Sequence, residues 1–121
     1  MQGAGHRVAI TGYGGVAPCG TGKQNFWQGL LGPGVSGSHT VEVKNWDPSP
    51  YFAGPKEARR ADRCEQYALA AAAEAISQSG TLPYEAPRIG TIFGTGIGGL
   101  RTLEEQVIVR VEKANAGSHH F

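Results

Sequence analysis

At 121 residues, 40% apolar and 17% charged, the chain can form one globular domain near the low end of size and is too apolar to be disordered. A net charge of +1 excludes a general binder of nucleic acid or membrane surfaces, so any anion recognition must come from a local patch. The 19 glycines cluster rather than repeat, which points to tight turns and close backbone approach. Two cysteines make no disulfide framework. No secretory core or membrane-length apolar run is present, and the expectation is a cytoplasmic protein with reduced thiols.

In chain order, Arg7-Val8-Ala9-Ile10-Thr11-Gly12 reads as a short buried strand. A Gly- and Pro-rich loop follows over residues 13–22. A short helix fits residues 23–31, with Phe26, Trp27, Leu30 and Leu31 on one face and Gly32-Pro33-Gly34 as its stop. Val41-Glu42-Val43-Lys44-Asn45-Trp46 alternates apolar and polar, the pattern of a half-exposed strand. After the turn Asp47-Pro48-Ser49-Pro50, one long helix is predicted over residues 55–79, with Pro55 in its first turn and Gly80 as its terminator. Its alanine-rich middle permits close packing and predicts neighbours on more than one side. Arg88-Ile89-Gly90-Thr91-Ile92-Phe93 reads as a third buried strand, and a last helix fits residues 100–113 with Leu100, Leu103, Val107 and Val111 as its apolar stripe. The order β, α, β, α, β, α predicts an α/β layered architecture.

Several motifs suggest chemistry. Gly94-Thr95-Gly96-Ile97-Gly98-Gly99 satisfies the spacing G-x-G-x-x-G between a strand and a helix, the context of a dinucleotide site. It comes too late in the chain for a ribose-binding acid to follow, so a strand-to-helix turn needing positive φ and close packing accounts for it better. Gly20-Thr21-Gly22-Lys23 fails the phosphate-loop pattern, with Ala17 and Gln24 at two required positions. Cys19 has no base nearby in sequence, and Cys64 lies within the long helix with Arg63 pointing away from it. Both read as small packing residues. His119-His120 lacks the further ligands a metal requires. Lys56, Arg59, Arg60 and Arg63, at i, i+3, i+4 and i+7, form one helical stripe. On the first two turns of a long helix they would sit where the backbone dipole already presents positive charge, which favours an anionic partner. The bland alternative is a solvated face, partly neutralised by Glu57 and Asp62.

Taken together, the residues resemble the N-terminal part of a β-ketoacyl-acyl carrier protein synthase of the elongating type II kind. The matching stretches are Arg7-Val8-Ala9-Ile10-Thr11-Gly12-Tyr13-Gly14, Phe26-Trp27-Gln28-Gly29-Leu30-Leu31, Lys56-Glu57-Ala58-Arg59-Arg60-Ala61-Asp62-Arg63, Gln66-Tyr67-Ala68-Leu69-Ala70-Ala71-Ala72 and Gly94-Thr95-Gly96-Ile97-Gly98-Gly99-Leu100. They occur in the family's order and cover most of the chain.

The resemblance implies a thiolase-like fold of two similar halves in alternating layers, normally dimeric. It implies a decarboxylating Claisen condensation in which a cysteine carries the acyl chain, malonyl-carrier protein loses carbon dioxide and attacks, and two histidines assist. The partners implied are acyl carrier protein and a second subunit, identical or, in a polyketide-type system, different. No cofactor or metal is expected. By the same resemblance Lys56, Arg59 and Arg60 receive the acidic carrier protein, and Ile97 and Phe121 line the acyl pocket. Ser118-His119-His120-Phe121 departs from the family's Ser-Pro-Phe-Phe-like pattern. Neither Cys19 nor Cys64 sits in an Ala-Cys-Ser-like elbow, so the nucleophile and both histidines are expected beyond residue 121 and the chain alone should not condense. Residues 37–41 and 78–84 are shorter than the family norm, so residues 1–121 read as an incomplete N-terminal segment of the synthase's N-terminal domain. A non-catalytic partner subunit of the chain-length-factor kind and a free-standing dinucleotide-binding domain are the competing readings. Ile97 leans toward fatty-acid rather than polyketide supply.

Overall fold

The computed structural model describes residue 5, residues 7–34 and residues 40–117. Two short antiparallel strands, β1 (Val16–Ala17) and β2 (Gly20–Thr21), precede four helices, α1 (Lys23–Leu31), α2 (Pro55–Arg60), α3 (Arg63–Ser79) and α4 (Leu100–Gly117). Single 3₁₀ turns lie at Ser49–Tyr51 and Ala86–Arg88.

The β1–β2 hairpin lies inside the stretch expected as loop. Val16 pairs with Thr21 and Ala17 with Gly20, leaving Pro18 and Cys19 as a two-residue turn. Gly22, at φ 78°, swings the chain into α1. Its carbonyl accepts the first helical bond from the Phe26 N–H at 2.9 Å, and its own N–H donates to the Gly15 carbonyl at 2.8 Å. A Cβ on Gly29 would stand 1.9 Å from the Cys19 carbonyl oxygen, so α1 and the hairpin touch backbone to backbone.

Residues 12–15 lie along the alanine stripe of α3. A Cβ on Gly12 would meet the Ala75 carbonyl at 2.0 Å, and one on Gly14 the Ala71 carbonyl at 2.2 Å. Side chains of α3 fasten this contact. Glu74 accepts the Gly15 N–H at 3.1 Å and the Lys23 N–H, at the start of α1, at 2.6 Å, while Gln78 accepts the Tyr13 N–H at 2.8 Å. Another part of α3 meets an aromatic group. Trp46 stacks on Tyr51 with ring centres 5.8 Å apart and meets Tyr67 edge-on at 4.9 Å. The alanine-rich helix thus has neighbours on more than one side, but Leu69 and Ile76 remain exposed and its enclosure is incomplete.

Three expectations are corrected. First, the long helix is two: Ala61 and Asp62 are extended at ψ 134° and 156°, and they separate α2 from α3. Second, α4 runs four residues past its expected end. Third, none of the three expected strands forms. Val8, Ile10 and Ile92 are 91%, 89% and 96% exposed, without strand partners. Apolar alternation favours extension, but a strand exists only where another backbone takes up its N–H and C=O groups. The middle stretch is also bent at Lys44 and Asn45, and Asn45 adopts φ 54°. Arg88 belongs to a 3₁₀ turn.

The core is correspondingly small. Ala58, Ala70 and Gln66 are the buried residues among those described. The accessible surface is 10676 Å², against about 6,200 Å² for a compact monomer of this mass. Among the described residues, no helix is long and apolar enough to cross a membrane.

Candidate functional site

Helix α2 opens with Pro55, whose missing N–H costs nothing at that position, and Glu57 folds back to accept the Ala53 N–H at 3.1 Å. Lys56, Arg59 and Arg60 are all exposed, while Ala58 turns inward. The break after Arg60 changes the electrostatics expected for this stripe. Arg59 and Arg60 occupy the last turn of α2, where the backbone dipole favours cations. Arg63 starts a different helix. Arg59 and Arg60 therefore do not sit at a disfavoured helix end, and the four cations do not form one continuous stripe.

The corner between α2 and α3 is made by side chains that the stripe pattern did not single out. Asp62 and Glu65 form a capping box at the start of α3, with the Asp62 N–H donating to Glu65 Oε2 at 3.0 Å. Gln66 is buried and fully used. Its Nε2 donates to the Ala58 carbonyl at 2.9 Å and the Ala61 carbonyl at 3.0 Å, and its Oε1 accepts from Trp46 Nε1 at 2.8 Å. The carbonyl of Ala58, in the last turn of α2, and that of Ala61, in the break just past it, are thereby satisfied. The spacing Asp62-Arg63-Cys64-Glu65 is a legible start signal for a helix, and could have placed the break.

The glycine turn packs on this corner. Gly98 adopts φ 68° and its N–H donates to Thr95 Oγ1 at 3.0 Å. The Gly99 carbonyl accepts from the Leu103 N–H at 3.0 Å and opens α4. A Cβ on Gly99 would lie 1.9 Å from Asp62 Oδ2, and Thr102 Oγ1 donates to Asp62 Oδ1. Of the run read as a strand-to-helix turn needing positive φ and close packing, Gly98 supplies the positive φ and Gly99 the close packing, while Gly94 and Gly96 show neither and, among the described residues, no strand leads into the turn.

Two clefts flank the junction. One, of about 290 Å³, is polar and lined by Arg59, Asp62, Arg63, Gly98, Arg101 and Thr102 among others. Arg101 also pairs with Glu105 at 2.8 Å, an exposed contact within α4. The other, of about 470 Å³, is apolar, with Phe52, Cys64, Leu69 and Phe93 in its wall. Cys64 borders both, so it and Arg63 share the polar cleft although they are consecutive on a helix. Ile97 is 72% exposed and lines neither cleft. Phe121, with Ser118, His119 and His120, lies outside the described residues, as do residues 37–39 of the stretch thought short. Cys19 forms part of the hairpin turn on α1. Among the described residues, no group of three His, Cys, Asp or Glu side chains could hold a metal ion.

Comparison with known proteins decides the ancestry of this arrangement. The N-terminal domain of β-ketoacyl synthases matches the chain in two overlapping stretches, residues 5–54 and 42–119. The chain belongs to the β-ketoacyl synthase family. Its relatives include 3-oxoacyl-[acyl-carrier-protein] synthase 2 of Synechocystis, 36% identical over 123 residues, covering 88% of this chain and 29% of that protein. The protein of the same name from Staphylococcus aureus is 38% identical over 113 residues, covering 81% and 27%. The actinorhodin polyketide β-ketoacyl synthase 1 of Streptomyces coelicolor is 33% identical over 120 residues, covering 85% and 25%. The chain thus spans less than a third of the length of these relatives. The alignment to the Synechocystis protein is longer than this whole chain, although only 88% of the chain takes part, so that relative carries residues there that this chain lacks. No solved structure matches the chain.

Proposed function

We propose that the chain is the N-terminal segment of a β-ketoacyl-acyl carrier protein synthase that elongates acyl chains by decarboxylating Claisen condensation. In that reaction malonyl-carrier protein loses carbon dioxide, and the resulting carbanion attacks the carbonyl of an enzyme-bound acyl thioester. The new carbon–carbon bond forms as the enzyme's thiolate leaves. Neither cysteine here suits the nucleophile. Cys19 is spent on a tight turn against Gly29, and Cys64 lies between the two clefts on a helix rather than at a sharp elbow. The segment contributes recognition instead. Lys56, Arg59 and Arg60 form the face for an acidic carrier protein, and Ile97 belongs to the acyl-chain wall of the intact protein, with Phe121 as a second wall residue. A thiolase-like fold and a dimeric assembly go with this reading, as do short deletions near residues 37–41 and 78–84. The length of the Synechocystis alignment supports the absence of some residues from this chain, and their placement near 37–41 and 78–84 is part of the proposal.

The observation that carries the proposal is the shared cleft. Arg59, from the exposed end of α2, and Gly98 and Gly99, from the turn that bears Ile97, line the same polar cavity. Carrier docking and acyl-chain accommodation would then occur at neighbouring positions. Charge complementarity of this kind steers association more than it adds affinity. Reversing both residues, Arg59→Glu and Arg60→Glu, in the intact synthase is expected to lower kcat/KM for carrier-borne substrate and to flatten its dependence on salt. A small thioester mimic should react almost normally. Equal losses for carrier-borne and carrier-free substrates, or an unchanged salt dependence, would reduce the basic face to a solvated surface.

A further inference from the structure

The basic corner and the glycine turn meet at one carboxylate. Asp62 begins α3 as half of a capping box with Glu65. A helix cap needs nothing more, yet the same side chain accepts from Thr102 Oγ1, forty residues away on the first turn of α4. Its other oxygen lies so close to where a Cβ on Gly99 would be that a side chain there would have to displace the carboxylate. The neighbouring polar side chains make local contacts: Thr95 bonds Gly98 inside the turn, and Arg101 bonds Glu105 along α4. Thr102 instead reaches out to the corner. On the corner's other flank, Gln66 ties Asp62's neighbour Ala61, and the end of α2, to Trp46. Asp62 thus lies between the turn that bears Ile97 and the end of the helix that bears Arg59 and Arg60.

We propose that Asp62, acting through Thr102 and the bare Gly99, is a positioning residue that sets the glycine turn against the basic corner and so sets acyl-chain specificity at Ile97. The specificity half rests on the condensing function proposed above, whereas the positioning half does not. Thr102→Val removes the hydroxyl, keeps the side chain's shape and leaves the capping box intact. Thr102→Ser keeps the hydroxyl.

In the intact protein, Thr102→Val is expected to speed amide hydrogen exchange over residues 96–99 by about two- to tenfold, the worth of one partly exposed hydrogen bond. It should lower kcat/KM for long relative to short carrier-borne acyl chains by a similar factor, and Thr102→Ser should restore both. Gly99→Ala, which forces a Cβ onto Asp62, should act in the same direction. Unchanged exchange in Thr102→Val, or equal acceleration in Thr102→Ser, would overturn the positioning role. Faster exchange with an unaltered chain-length profile would overturn the specificity role. If the intact protein does not condense, or if the Arg59→Glu, Arg60→Glu variant does not distinguish carrier-borne substrate, the functional reading fails separately, and hydrogen exchange still decides the tie.

Discussion

Ile97 stands on a turn whose conformation is dictated by its neighbours. Gly98 supplies the positive φ and Gly99 the space against Asp62, and Ile97 itself projects outward. A large apolar side chain held in the open by such a specific backbone suits a wall that some other group completes. If the intact protein condenses as proposed, Ile97→Phe is expected to obstruct long acyl donors more than short ones, since overpacking a pocket costs about 1–3 kcal/mol. Steady-state kinetics across a series of chain lengths would measure this, and equal losses for all lengths would remove Ile97 from the pocket. Glycines 12 and 14 pose a stability question instead. Each lies where a Cβ would collide with a carbonyl of α3. Gly14→Ala is expected to lift residues 12–15 off that helix and to destabilise the intact protein by roughly 1–3 kcal/mol. Chemical denaturation would detect the shift, and an unchanged midpoint would show that the contact is slack.

At the scale of elements, the break between α2 and α3 matters most. It turns a stripe on one long helix into a short basic helix that is set off from α3 by a buried glutamine. Gln66→Ala would strand the carbonyls of Ala58 and Ala61 and the Trp46 N–H at once. Losing these bonds is expected to destabilise the intact protein by about 1–3 kcal/mol. It should also loosen α2, so association with carrier-borne substrate should slow while Arg59 and Arg60 are both still present. Stopped-flow association rates would test this. A Gln66→Ala variant that melts earlier but associates at the normal rate would show that α2 does not depend on the latch.

The whole chain exposes far more surface than a compact protein of its mass, and its two most apolar extended stretches lack strand partners. Folding stability comes from apolar burial net of chain entropy, and here few side chains are buried. The 121-residue chain on its own is therefore expected to melt without a sharp cooperative transition, to bind a hydrophobic dye, and to show no condensing turnover. Calorimetry of the isolated chain would check the first of these. A single sharp transition whose calorimetric and van't Hoff enthalpies agree would contradict it.

Sequence alone determined the features set by local rules. The short helix α1, the proline start of α2, the glycine stop after α3 and the start of α4 all follow from capping residues and apolar periodicity, and the glycine turn from the residues that tolerate its backbone. The family, too, was legible in the order of its motifs. The break at Asp62 was equally local, and its capping-box spacing was there to be read. What only the tertiary structure decided is which apolar stretches become strands, where Gln66 and Glu74 spend their hydrogen bonds, and that the glycine turn rests on Asp62. Such outcomes depend on partners distant in the chain. A strand without a second backbone stays an extended segment, and a side chain reveals its role only through the group that it reaches.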